Sequence, residues 1–135
     1  MIRIAFSIAL LIGLSGSAFA DQRQDEAVAA STAWLKMVDD GDYAAAWSDV
    51  AHLFKGKMDV DAWVQSVSAP RSQVGALKSR KLQSYMETTS LPDVPDGDYA
   101  IIVFDSVFAN RPNSGEMLPL VREDGRWKVG GYYIK

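Results

Sequence analysis

The chain has 135 residues, no cysteine, one histidine and a net charge of −3, from 14 basic and 17 acidic side chains. That composition excludes a disulfide framework, a thiolate metal site and a lipid-modified cysteine. It also lacks the basic excess that a nucleic-acid-binding domain needs.

Residues 1–20 read as a secretory signal peptide. Arg3 supplies the positive start, Ile4 to Leu14 are almost wholly apolar, and Ala18-Phe19-Ala20 ends the stretch on small residues. The expected cut lies between Ala20 and Asp21. The apolar run is too short to cross about 30 Å of hydrocarbon, so no stable membrane anchor is expected after cleavage. The destination is the periplasm or the exterior. Residues 21–135 then form a single α+β domain, long enough for one core without staples.

Gln22 to Asp39 is predicted to be a helix, with Val28, Ser31, Trp34, Leu35 and Val38 on one stripe. Asp40-Gly41 ends it, glycine taking the left-handed cap position. Asp42 caps a second helix, Tyr43 to Val50. His52 to Phe54 leads out into a loop at Lys55-Gly56-Lys57. Asp59 caps a third helix from Val60 to about Ser72, which Pro70 should kink or stop.

Leu77 to Ser90 is a weakly alternating strand. Leu91 to Gly97 is a loop. Tyr99 to Phe108 is a β-branched and aromatic run with apolar residues on both faces, so it is predicted to be a central strand covered on both sides. Asn110 to Gly115 is turn chemistry. Glu116 to Glu123 is the next strand, and Pro119 should mark an edge or a bulge in it. Asp124-Gly125 closes a two-residue hairpin, because both residues tolerate positive φ. That register pairs Arg122 with Trp127 and Leu120 with Val129. It sets Leu118, Leu120, Trp127, Val129 and Tyr133 on the core face, with Met117, Val121, Lys128 and Tyr132 on the other. Helices followed by a strand meander give N-terminal helices packed on a curved four-stranded antiparallel sheet.

Few residues suggest chemistry. Asp105 interrupts an apolar strand, where desolvation would raise its pKa and fit it as a general base. Glu116, on the neighbouring strand, is placed to face Asp105 across the turn; two close carboxylates would push their pKa values apart. These two are the catalytic candidates. Arg71 and Arg80 are binding candidates through their planar forks, though such arginines also anchor helix ends or pair with internal acids. Tyr43 and Tyr132 are the other binding candidates. Lys55, Lys57, Arg71, Lys78, Arg80 and Lys81 together suggest an anion-attracting patch. His52 has no partner placed by spacing, so no triad is read. No cofactor or metal is expected.

Several pieces carry a resemblance: Trp34-Leu35, Asp39-x-Gly41-Asp42-Tyr43, Trp47, Leu53-Phe54-Lys55, Trp63, Arg71, Gly75, Ser79-Arg80, Glu116 and Asp124-Gly125-x-Trp127-x-Val129-x-Gly131-Tyr132-Tyr133-Ile134. Together with Leu91-Pro92, Pro95-Asp96-Gly97 and Phe108-Ala109-Asn110, they make the chain similar to the bacterial domain-of-unknown-function family 4019. More loosely, it resembles the nuclear transport factor 2-like (cystatin-like) superfamily. His52 stands outside that pattern. The resemblance implies a curved sheet wrapped round a long helix, often with a cone-shaped pocket and often dimeric. It implies no activity.

The expected function is therefore a non-enzymatic module that binds a small ligand or a periplasmic protein. The alternatives are an isomerase or lyase with Asp105 as base in an apolar cone, and an envelope protein that self-associates, for instance as a homodimer.

Overall fold

A computed structural model describes residues 15–135. The positive and apolar parts of the expected signal peptide, residues 1–14, lie outside the described residues. Four helices precede five strands: α1 (Ser15–Asp39), α2 (Tyr43–Ser48), α3 (His52–Lys55), α4 (Val60–Val74), β1 (Leu77–Thr88), β2 (Tyr99–Phe108), β3 (Arg111–Glu123), β4 (Arg126–Val129) and β5 (Tyr133–Ile134). The architecture is α+β. The sheet is antiparallel, ordered β1-β2-β3-β4, and β5 pairs with β3 beyond the end of β4.

The caps follow the local chemistry. Asp42 accepts from the Ala45 N–H and Asp59 from the Ala62 N–H, so each satisfies an orphan donor of the first turn. Gly41 ends α1 at φ 76°, a conformation glycine adopts without a Cβ penalty. Pro70 does not stop α4, which runs two residues past the expected end near Ser72. The helix runs on to Val74 because Val67, Arg71 and Val74 form a buried stripe across the proline. That burial outweighs the one ladder bond proline removes. The stretch read as a lead-out at His52 coils into α3, and its first two N–H groups donate to the Glu123 carboxylate at 2.9 and 3.0 Å.

The β3–β4 hairpin has the expected register, with Asp124 at φ 52° and Gly125 at φ 75°. The β2–β3 turn is tighter than its composition suggested. Only Ala109-Asn110 turn, and β3 begins at Arg111. Pro119 faces a bulge, as expected, the extra residue at Gly130-Gly131 on the partner segment. It sits between the segment of β3 that pairs β4 and the segment that pairs β5, where no ladder donor is required. Its carbonyl accepts from the Gly130 N–H at 2.8 Å.

One face assignment inverts. Tyr132 is buried and Tyr133 is 54 % exposed. From Val129 opposite Leu120 to Tyr133 opposite Met117, the chain advances four residues against three on β3. The extra residue, at Gly130-Gly131, flips the side-chain alternation.

The core lies between the helices and one sheet face. Trp34, Leu35 and Val38 of α1 meet Ile102, Phe104, Leu118, Leu120, Trp127 and Val129. Trp34 packs edge-on against Trp63 at 6.1 Å between ring centroids and donates its indole N–H to the Ala46 carbonyl at 3.0 Å.

β2 is not covered on both sides, as the sequence had suggested. Ala100, Ile102, Phe104 and Phe108 are buried, whereas Ile101 and Val103 are half-buried and Val107 is exposed. Among the described residues, one end of the outer face is closed. There Tyr99 and Val121 pack under Leu53, Leu91 and Val94.

Candidate functional site

α1, α4, β1 and β3 converge on a cluster of ionised side chains at the C-terminal end of α1. Glu116 points from β3 into the core face and is 0 % exposed. An ionised carboxylate there survives only with several donors. Arg80, from β1, supplies two, Nε to Oε1 at 2.6 Å and Nη2 to Oε2 at 3.0 Å. Ser106 Oγ donates at 2.5 Å, and the Tyr132 hydroxyl also donates to Oε2.

Arg80 then spans to Asp39 at the end of α1, with Nη1 to Oδ2 at 2.9 Å and Nη2 to Oδ1 at 3.0 Å. Arg71, on α4, reaches the same Asp39 Oδ1 through Nη1 at 2.8 Å. Two acids and two arginines make the cluster neutral in sum. It ties together elements far apart in sequence.

The proton affinities follow from this geometry. Burial pushes the Asp39 carboxyl up, but the hydrogen bonds from Arg80 and Arg71 outweigh it and hold the pKa below the usual carboxylate value. Burial opposes the charge of Arg80 and Arg71 too, and their acid partners outweigh it in turn. Burial, reinforced by the Glu116 charge, drives the Tyr132 phenol far above its ordinary value, so it stays a donor.

Beside the cluster lies an open cleft of about 430 Å³ between the end of α1, the start of α2 and the α4–β1 junction. Tyr43, Asp39 and Arg71 line it. The β2–β3 turn holds its back wall: the Asn110 N–H and side-chain amide donate to the Val74 and Gln73 carbonyls, capping α4. Gly75 turns there at φ 78°, and a Cβ would meet Asn110 Nδ2 at 2.9 Å.

The sequence-derived candidates separate. Arg71, Arg80, Glu116 and Tyr132 come together, with Tyr43 on the cleft rim. Asp105 does not join them. It faces outward on β2, half-buried, with Lys81 and Gly115 as its strand neighbours. Glu116 stands opposite Phe104 on the inner face, so the two carboxylates lie on opposite sides of the sheet. Neither occupies an apolar cone. The mid-chain cations form no single patch. Arg71 and Arg80 turn inward to acids, Lys55 donates to the Ser48 carbonyl and Lys57 to the Asp93 carbonyl. Among the described residues no group of acids and histidine is placed to hold a metal ion, and no helix is long and apolar enough to cross a membrane. The Ala20–Asp21 bond lies within α1.

Asp39 and Ser106 were missed from sequence. Asp39 carried a signal: an acid in the last turn of a helix opposes the helix dipole and calls for a cationic partner.

A family model described as a protein of unknown function, DUF4019, matches residues 30–132. The chain belongs to the DUF4019 family. The matched span takes in every residue of the ionic cluster and of the cleft. No curated protein and no solved structure matches the chain.

Proposed function

We propose that this DUF4019 member is an exported, non-catalytic binding module of nuclear transport factor 2-like architecture, and that its working surface is the outer face of the sheet. The observation that carries the reading is the open, largely apolar area on that face, interrupted by Asp105 and Lys81. Met86 is 55 % exposed and Tyr133 54 %, beside Ile101, Val103, Val107, Met117 and Pro119. Large side chains left in water on one contiguous sheet face mark a contact surface. The acids and arginines that would drive catalysis are engaged with one another, and Asp105 faces outward on β2, half-buried beside Lys81. Export rests on the N-terminal sequence.

The occupant that fits is a second copy of the chain. From Ile101 to Val107, across β1, β2, β3 and β5, the open area is roughly 20 Å by 20 Å. With side-chain relief that gives on the order of 600 Å² per partner, the low end for a specific interface. A two-fold axis through this face would bury like on like, as closed dimers do. The pairing is therefore weak and reversible. Sedimentation of the chain beginning at Asp21, from micromolar to submillimolar concentration, should show dimer growing with concentration. Met86→Lys should abolish it without loss of stability. A monomer throughout that range overturns the proposal, as does a dimer indifferent to Met86→Lys.

A further inference from the structure

Arg71 is held differently from Arg80. Arg80 spends Nε, Nη1 and Nη2 on Asp39 and Glu116. Arg71 is just as deeply placed, with its side chain 8 % exposed, yet it makes one hydrogen bond, Nη1 to Asp39 Oδ1. Its Nε has no partner, and its guanidinium carbon lies 5.0 Å from the centre of the Phe108 ring. A guanidinium carries five N–H donors in a fixed plane. A buried donor without a partner is costly, and this arginine forms a wall of the 430 Å³ cleft.

The cleft's other groups restrict what it can take. Asp39 shares the wall and is 22 % exposed, and Tyr43 presents a half-buried ring and hydroxyl at the rim. The Asp39–Arg71–Arg80–Glu116 set is already neutral, so a charged ligand would find no net opposite charge. α1 and α4 both end at the cleft. Helix C-termini carry partial negative charge, which disfavours an anion further. A hydroxyl group suits the site, because it accepts from Arg71 and donates to Asp39 at once. The amphipathic Tyr43 ring offers an apolar face with a polar tip. The volume lies within the range of small-molecule sites.

We infer that the cleft between the end of α1 and the α4–β1 junction binds an uncharged, hydroxyl-rich ligand, a saccharide unit, with Arg71 as principal donor, Asp39 as acceptor and Tyr43 as the stacking face. The site lies apart from the outer face of the sheet and does not depend on pairing there.

The test is NMR titration of the chain beginning at Asp21 with N-acetylglucosamine and glucose, with acetate as the anionic comparator. At least one sugar should produce saturable amide shifts at Gly41 and Gly75, with a millimolar midpoint, and acetate should not. Tyr43→Leu and Arg71→Lys should each weaken sugar binding about tenfold, the loss of one good hydrogen bond or contact, while spectra elsewhere stay superimposable. Tyr43→Leu leaves the ionic cluster intact, so it remains informative if the Arg71 variant unfolds. Absence of saturable shifts with both sugars overturns the inference. So does saturable acetate binding at the same amides, or sugar binding that Tyr43→Leu leaves unchanged.

Discussion

Removing the Glu116 carboxylate tests the ionic cluster most directly. Glu116 is fully buried and accepts from Arg80 twice, from Ser106 and from Tyr132. In Glu116→Leu, Arg80 retains only Asp39, and two buried hydroxyls lose their acceptor. Breaking a buried ion pair from one side costs about 3–5 kcal/mol, and each stranded polar group about 1–3 kcal/mol. These terms overlap, so the expected loss is about 4 kcal/mol, a large part of the ~5–15 kcal/mol of a typical domain. Urea unfolding at neutral pH, followed by tryptophan fluorescence, reads it. Trp34 reports on the cluster because its ring lies 5.7 Å from that of Tyr132. Arg80→Met alone should cost a similar amount. The double variant Arg80→Met with Glu116→Leu should lose about 2 kcal/mol less than the two single losses added, because no uncompensated carboxylate then remains at position 116. A single-variant loss under about 1 kcal/mol, or additivity within about 0.5 kcal/mol, would refute the account of Glu116 as a buried, ionised hub.

The Asp39 carboxyl is held below its unfolded value, so its contribution to stability is complete above that value, about pH 4, and is lost as pH falls through the lower folded pKa. Acid titration followed by circular dichroism should therefore show stability falling below about pH 4, and Asp39→Asn should be less stable at neutral pH with a shallower acid limb; an unchanged limb counts against the cluster. Trp127 is 5 % exposed on the core face, with the Arg23 and Arg122 guanidinium carbons each 5.2 Å from its ring centre. Trp127→Ala should cost about 3–5 kcal/mol in chemical denaturation, and a loss under about 1 kcal/mol would mean that the hairpin register is wrong.

Much of the fold was legible because its signals are local. Asp42 and Asp59 sit one residue before helical stripes, and each caps its helix. Asp124-Gly125 fixes the hairpin by its tolerance of positive φ, and that hairpin fixes which of Leu120, Arg122, Trp127 and Val129 share a face. The tight Ala109-Asn110 turn was hidden because Pro112, Asn113, Ser114 and Gly115 look like loop residues yet extend β3. The Tyr132/Tyr133 inversion was hidden because an added residue at a diglycine has no periodicity of its own to read.

The candidate site divides the same way. Composition and sequence pattern determined the α+β class, the exclusion of cysteine chemistry, the hairpin and the residue types that matter: two arginines, an acid on β3 and a tyrosine. Only the tertiary structure decided their roles. Asp39, Arg71, Arg80, Glu116 and Tyr132 are spread from the first helix to the last residues of the chain, and nothing local states that they meet. Burial decides it. A carboxylate forced into the core must draw donors from wherever the fold brings them, so Glu116 pairs with Arg80 and Tyr132. Asp105, one register step away on the opposite face, is left to solvent, Lys81 and the open side of the sheet.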